Sequence, residues 1–217
     1  MTSTPYVAPF VVFLGFLALR GSLGVSALAE QALWFAVMAA VIAFVALPVL
    51  DFRVRHWAGT IAMGVGVFVL WITPDLLFPG YRSHWLLSNS ITGSVAAGLP
   101  EADRANIAIL LLRGLRAALI VPIVEELFWR AWLMRWLIDQ DFFKIPLGTY
   151  ATQAFWIVAF LFAAEHGPYW DVGLACGILY NWWMVRTRSL GDLILAHGIT
   201  NACLSVYVVA AGKWEYW

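Results

Sequence analysis

The chain has 217 residues, 63% of them hydrophobic and only 12% charged, with 13 basic side chains against 13 acidic ones and a formal net charge of +0. Soluble domains run about 25% charged and under half apolar, so a mean hydropathy of +0.82 implies an integral membrane protein. The balanced, scattered charge excludes a nucleic-acid footprint. Two cysteines inside apolar stretches, Cys176 and Cys203, exclude a disulfide framework and a metal knuckle.

A membrane-spanning helix needs about 20 mostly apolar residues. Residues 6–19 form a short first candidate, 32–50 a second, and 57–78 a third with Pro74 near its end. Ala27-Leu28-Ala29 imitates a signal-peptide cleavage site, but no Lys or Arg precedes the apolar run, so an uncleaved span is expected. Gly, Ser, Asn and Pro then collect over 79–104 as a loop. In residues 106–116, Arg113 and Arg116 share one face, the pattern of an interfacial amphipathic lead-in.

The apolar segments 117–138, 150–165, 172–185 and 193–211 complete the set. The expectation is an all-α polytopic transmembrane bundle of seven spans, or eight if the lead-in crosses, with a recessed polar cavity. Residues 1–104 form a three-span region and polar loop, and 105–217 a helical core. Under seven-span alternation, Arg53, Arg55, Lys144, Arg186 and Arg188 fall on one side, and Arg20, Arg82, Arg104 and Lys213 on the other. That asymmetry favours a cytoplasmic N-terminus.

An ionisable side chain in the bilayer is costly and points to function, with a partner to be named. Three clusters qualify. In Glu125-Glu126-Leu127-Phe128-Trp129-Arg130, the second acid lies four residues before Arg130, the favourable order for a helical ion pair. Helix neighbours point about 100° apart, which leaves Glu125 to face the bundle interior. Pro122, one turn earlier, loosens the backbone beside the acids. The second cluster runs from Phe162 to His166. The third runs from His197 to Asn201, four apart on one face. One carboxylate, two imidazoles and an amide on apolar helices suit water activation, metal binding or a proton path. Ser189-Leu190-Gly191-Asp192 reads as a capping box, so Asp192 is expected to start the last helix. His56, His84, Asp51 and Asp75 are expected to be solvated or interfacial. No H-E-x-x-H or G-x-S-x-G motif occurs.

The three clusters, in this order, resemble the CPBP intramembrane proteases, the family of the type II CAAX prenyl endopeptidases and bacteriocin-processing relatives. The motifs E-E-x-x-x-R, F-x-x-x-H and H-x-x-x-N read here as Glu125-Glu126…Arg130, Phe162…His166 and His197…Asn201, within residues 117–205. The stretch 185–190 also resembles the loop before the last motif, with Arg188 where Gly is common.

The resemblance implies an intramembrane endopeptidase in the inner membrane, acting without a covalent intermediate on a hydrophobic or lipid-anchored protein substrate that enters from the bilayer. Glu125 would activate water, and His166 would hold it or a metal carrying it. His197 and Asn201 would position the carbonyl and stabilise the oxyanion, with Glu126, Arg130 and Phe162 in support. Two His and one Glu (Glu125, His166, His197) also form a zinc-type set. Glu125 would then be a ligand rather than a free base, so both routes stay open. A proton-coupled transporter and a non-catalytic scaffold or immunity factor are the competing readings. A shared site further requires the helix before His166 to end inside the membrane, with Gly167-Pro168 turning back within the protein.

Overall fold

A computed structural model describes residues 2–19 and 21–217; Met1 and Arg20, the latter part of the orientation argument, lie outside the described residues. Among the described residues, seven principal helices follow one another: α1 (Thr4–Leu19), α2 (Ala27–Val49), α3 (Trp57–Leu77), α4 (Ile107–Trp136), α5 (Thr152–Ala164), α6 (Trp170–Thr187) and α7 (Leu190–Ala211). Among the described residues there is no strand. Helices α2, α3, α4 and α7 are long and apolar enough to cross a membrane, while α1 and α5 are apolar but shorter. Their outer faces leave Val11, Leu14, Phe44, Val65 and Val69 exposed, as lipid contact requires. The inner faces bury Phe10, Trp34, Met38, Val67, Val124 and Leu193 in one core.

Residues 106–116 continue without a break into the next segment, so the lead-in and the following span are one 30-residue helix, α4. Arg113 and Arg116 are buried rather than interfacial. The helix turns them inward, where Arg116 bonds Gln31 and stacks on the Trp34 ring. Two π-helical stretches, Arg116–Ile120 and Leu127–Leu133, flank the acids. In the first, the Val121 N–H bonds back to Arg116 O, and Pro122 has no N–H to offer. The Ala117 carbonyl thus lacks its usual helical donor, and the Asn201 amide fills that place at 2.9 Å.

Helix α5 has 13 residues and is only about 20 Å long, well short of the roughly 30 Å hydrocarbon core. His166 and a tight turn, Gly167–Tyr169, follow its end, and α6 returns antiparallel to it. The turn is covered by the 79–104 loop. An added Cβ on Gly167 would come 3.0 Å from Thr92 O, and the Trp170 indole donates to Leu86 O at 2.9 Å. Irregular backbone is tolerated at depth only under such cover.

Helix α7 is clamped on two sides. An added Cβ on Gly64 of α3 would sit 2.5 Å from Ala196 O, and one on Gly198 would sit 2.8 Å from Ala118 O. Small residues let apolar helices approach this closely. Arg188 adopts the left-handed backbone at φ 52, a conformation glycine takes without steric cost, matching the position where the resemblance expects Gly. At the head of α7, Ser189 Oγ accepts the Asp192 N–H at 3.2 Å. The Asp192 carboxylate, however, reaches across to the start of α3, accepting Arg55 N–H (3.0 Å), His56 N–H (2.8 Å) and Thr60 O–H (2.7 Å). It therefore caps another helix as well as helping to start its own. Asp75 is not merely solvated either: it pairs with Arg82 at 3.1 Å, and Arg82 also holds Asp171.

Candidate active site

Glu125 and Glu126 occupy the turn between the two π stretches of α4 and point different ways. Glu126, fully buried, accepts from Arg130 Nη1 on both carboxylate oxygens at 3.0 Å. It also meets His197 Nδ1 through Oε1 at 2.7 Å. Arg130 is held in turn by Asn181, whose Oδ1 accepts its Nε–H at 2.9 Å and whose amide donates to Phe155 O at 2.8 Å. Its guanidinium lies over the Phe162 ring at 4.3 Å. These bonds meet most of the pair's remaining groups, as a buried pair requires, while Arg130 Nη2 makes no hydrogen bond. The pair ties α4 to α5, α6 and α7.

Glu125 is 7% exposed, and its Oε2 makes no hydrogen bond. That oxygen lies 4.0 Å from His197 Nε2. The His197 ring therefore stands between consecutive acids, one on each nitrogen, against the Tyr180 ring at 5.1 Å. Tyr180 O–H donates to Thr200, which donates to Gly64 O at 2.8 Å.

His166 sits just past the end of α5 with Nδ1 2.6 Å from Phe162 O. Only an N–H can satisfy a carbonyl, so Nδ1 carries the proton and a neutral ring keeps a lone pair on Nε2. Trp71 of α3 faces the ring edge-on at 5.2 Å, and α6 presses so close that a Cβ on Gly173 would come 3.2 Å from the His166 side chain.

Glu125, His166, His197 and Asn201 line one cavity of about 300 Å³. Its walls come from both halves of the chain: Phe13 of α1, Trp34 of α2 and Trp71 of α3 stand opposite residues of α4–α7. Glu126, Arg130 and Phe162 form the layer behind, with Phe162 also touching the cavity. Among the described residues, no three His, Cys, Asp or Glu side chains approach closely enough to hold a metal ion. The zinc-type set of Glu125, His166 and His197, one of the two routes the sequence leaves open, is not among such groups.

Two members of this network are absent from the sequence-level set. Asn181 is a polar residue in the otherwise apolar stretch 172–185, the same signal of an amide in an apolar segment that drew attention to Asn201. Tyr180 carries no such signal, because aromatic residues are common everywhere in this chain.

Residues 107–203 match a family model described as Type II CAAX prenyl endopeptidase Rce1-like. No curated protein and no solved structure matches the chain. The matched stretch runs from the start of α4 through Asn201 and so contains Glu125, His166, His197 and Asn201. The segment that builds the polar end of this membrane-protein cavity, residues 107–203, is thus similar to the type II CAAX prenyl endopeptidase Rce1-like family.

Proposed function

We propose that this protein is an intramembrane endopeptidase of the cell's inner membrane that hydrolyses a peptide bond in a hydrophobic or lipid-anchored protein, using water activated by Glu125. The observation that carries the reading is the Glu125 Oε2 atom, buried, without a hydrogen bond, and facing a cavity shared with two histidines and an amide. A lone buried acceptor is costly, and a water bound there would satisfy it.

Glu125 takes a proton from that water as its oxygen attacks the scissile carbonyl carbon. The neutral His166 ring accepts the water's second hydrogen at Nε2 and orients it. His197, its Nδ1–H held by Glu126, presents Nε2–H in its charged form to the developing oxyanion, and the second Asn201 amide hydrogen is available beside it. Preformed donors in a dry site are worth several kcal/mol at such an oxyanion. The tetrahedral intermediate then collapses. The C–N bond breaks, and Glu125 returns its proton to the departing amine, so no covalent enzyme intermediate forms.

The test is reconstitution in lipid vesicles with a quenched fluorogenic peptide carrying a lipid anchor. Cleavage by wild type, with no proton flux across the vesicle, is expected. Proton flux without cleavage would replace this reading with the relay. Neither activity, together with wild-type biological function in Glu125→Gln, would leave the scaffold reading.

A further inference from the structure

The cavity that holds Glu125 and His166 is also lined by Tyr216 and Trp217. After α7, the chain reverses at Gly212, which is left-handed at φ 66. A short turn, Trp214–Tyr216, carries it back along the helix, so that the Trp217 indole reaches Ser205 Oγ at 3.3 Å. The returning segment is strapped by isolated contacts from separate places. Gly98 N–H donates to Trp214 O at 3.1 Å, Tyr169 O–H to Glu215 O at 3.3 Å, and Tyr216 O–H to Asp75 Oδ2 at 2.8 Å. The Arg113 guanidinium lies 5.3 Å from the Trp217 ring centre.

Gly98 shows how closely this segment is seated. An added Cβ there would overlap the main-chain carbonyl of Trp217. The result is a single tight turn held through its carbonyls and by contacts to the rings of Trp214, Tyr216 and Trp217, with Tyr216 and Trp217 lining the same cavity as the polar groups. These features are those of a bound peptide ligand rather than of a core element.

We propose that residues 213–217 are an internal ligand of the cavity, seated at a subsite for an aromatic peptide side chain formed by Gly98, Arg113 and Ser205, and that a substrate must displace them. The proposal rests on reading the cavity as the place where a peptide is cut, and it deepens that reading by naming an aromatic-bearing peptide as the class admitted. A tethered ligand competes at an effective concentration in the millimolar range. It therefore excludes weak ligands and yields to a substrate that also binds the polar end.

The test reads access, not cleavage, so it can fail while the peptidase reading stands. Cys176 lines the cavity and is 3% exposed. In the full chain carrying Cys203→Ala it is the single thiol, and its rate of alkylation by N-ethylmaleimide reports entry. Trp217→Ala removes the ring and keeps the seat, whereas Gly98→Ala expels the segment by overlap. Each is expected to raise the rate at least tenfold with helical circular dichroism unchanged. Adding the amidated peptide Lys-Trp-Glu-Tyr-Trp should slow Trp217→Ala back towards the wild-type rate and leave Gly98→Ala fast. If one variant loses its helical signal, the other decides, as does Tyr216→Phe, which removes only the bond to Asp75. An unchanged rate in the folded variants overturns the internal ligand. A rise in Trp217→Ala that the peptide does not reverse overturns the subsite.

Discussion

His197 Nδ1 lies 2.7 Å from Glu126 Oε1, which fixes the orientation of the ring and aims its other nitrogen at Glu125 Oε2, 4.0 Å away. Glu126 thus bonds His197 rather than its neighbour in sequence. The adjacent acids face different ways: Glu126 holds the ring, and Glu125 lines the cavity.

That division makes Glu125→Gln a clean test. The amide keeps the shape but cannot take a proton from water. Cleavage of the anchored peptide is expected to fall by about 10²–10⁴-fold, with helical signal and thermal unfolding close to wild type. A loss of less than threefold would remove Glu125 from the chemistry.

Arg130→Met leaves the Glu126 carboxylate buried with His197 as its remaining partner. Removing one member of a buried pair costs about 3–5 kcal/mol, so the unfolding temperature in detergent should drop markedly. The double variant Glu126→Gln/Arg130→Met should lose less than the sum of the single changes, because the two residues share one interaction.

Gly198→Ala and Gly64→Ala each place a methyl group against a helix carbonyl. Overpacking of this kind costs about 1–3 kcal/mol. It also moves α7, which carries His197 and Asn201, so cleavage should fall with stability. Gly66→Ala on α3 meets nothing within 4 Å and should be neutral or slightly stabilising, since Ala favours a helix over Gly by about 1 kcal/mol. Equal behaviour of Gly64→Ala and Gly66→Ala would contradict this packing.

Tyr216 lies beyond the end of α7. Burial, and then its bond to the Asp75 carboxylate, hold its phenol protonated well above the usual pKa of 10.0. The folded state therefore keeps a proton that the unfolded chain releases, and its contribution to stability is complete below pH 10 and lost as pH rises above it. Thermal unfolding followed from pH 8 to 11 should show an alkaline decline that Tyr216→Phe makes shallower. An identical slope in the variant would rule out this group as the cause.

Because no three ligand-type side chains converge among the described residues, exhaustive dialysis against a zinc chelator should leave the cleavage rate within twofold of the untreated protein. Loss of activity restored by stoichiometric zinc would move Glu125 from base to ligand.

The sequence by itself determined the membrane class, the helical segments from α1 onward and the Glu126–Arg130 pair. These depend on composition and on contacts within one helix, which a 3.6-residue period makes legible. Depth and direction were legible only in part. The burial of Arg113 and Arg116, the reach of Asp192 to α3 and the pairing of Glu126 with His197 join residues 71 or more positions apart, or depend on which face a helix turns inward, and no local pattern encodes that choice. Only the tertiary structure decided that His166 and His197 line one cavity. It did so because the short α5 ends in a covered turn that brings His166 against α6 and the cavity, facing a helix, α7, that glycines hold at contact distance.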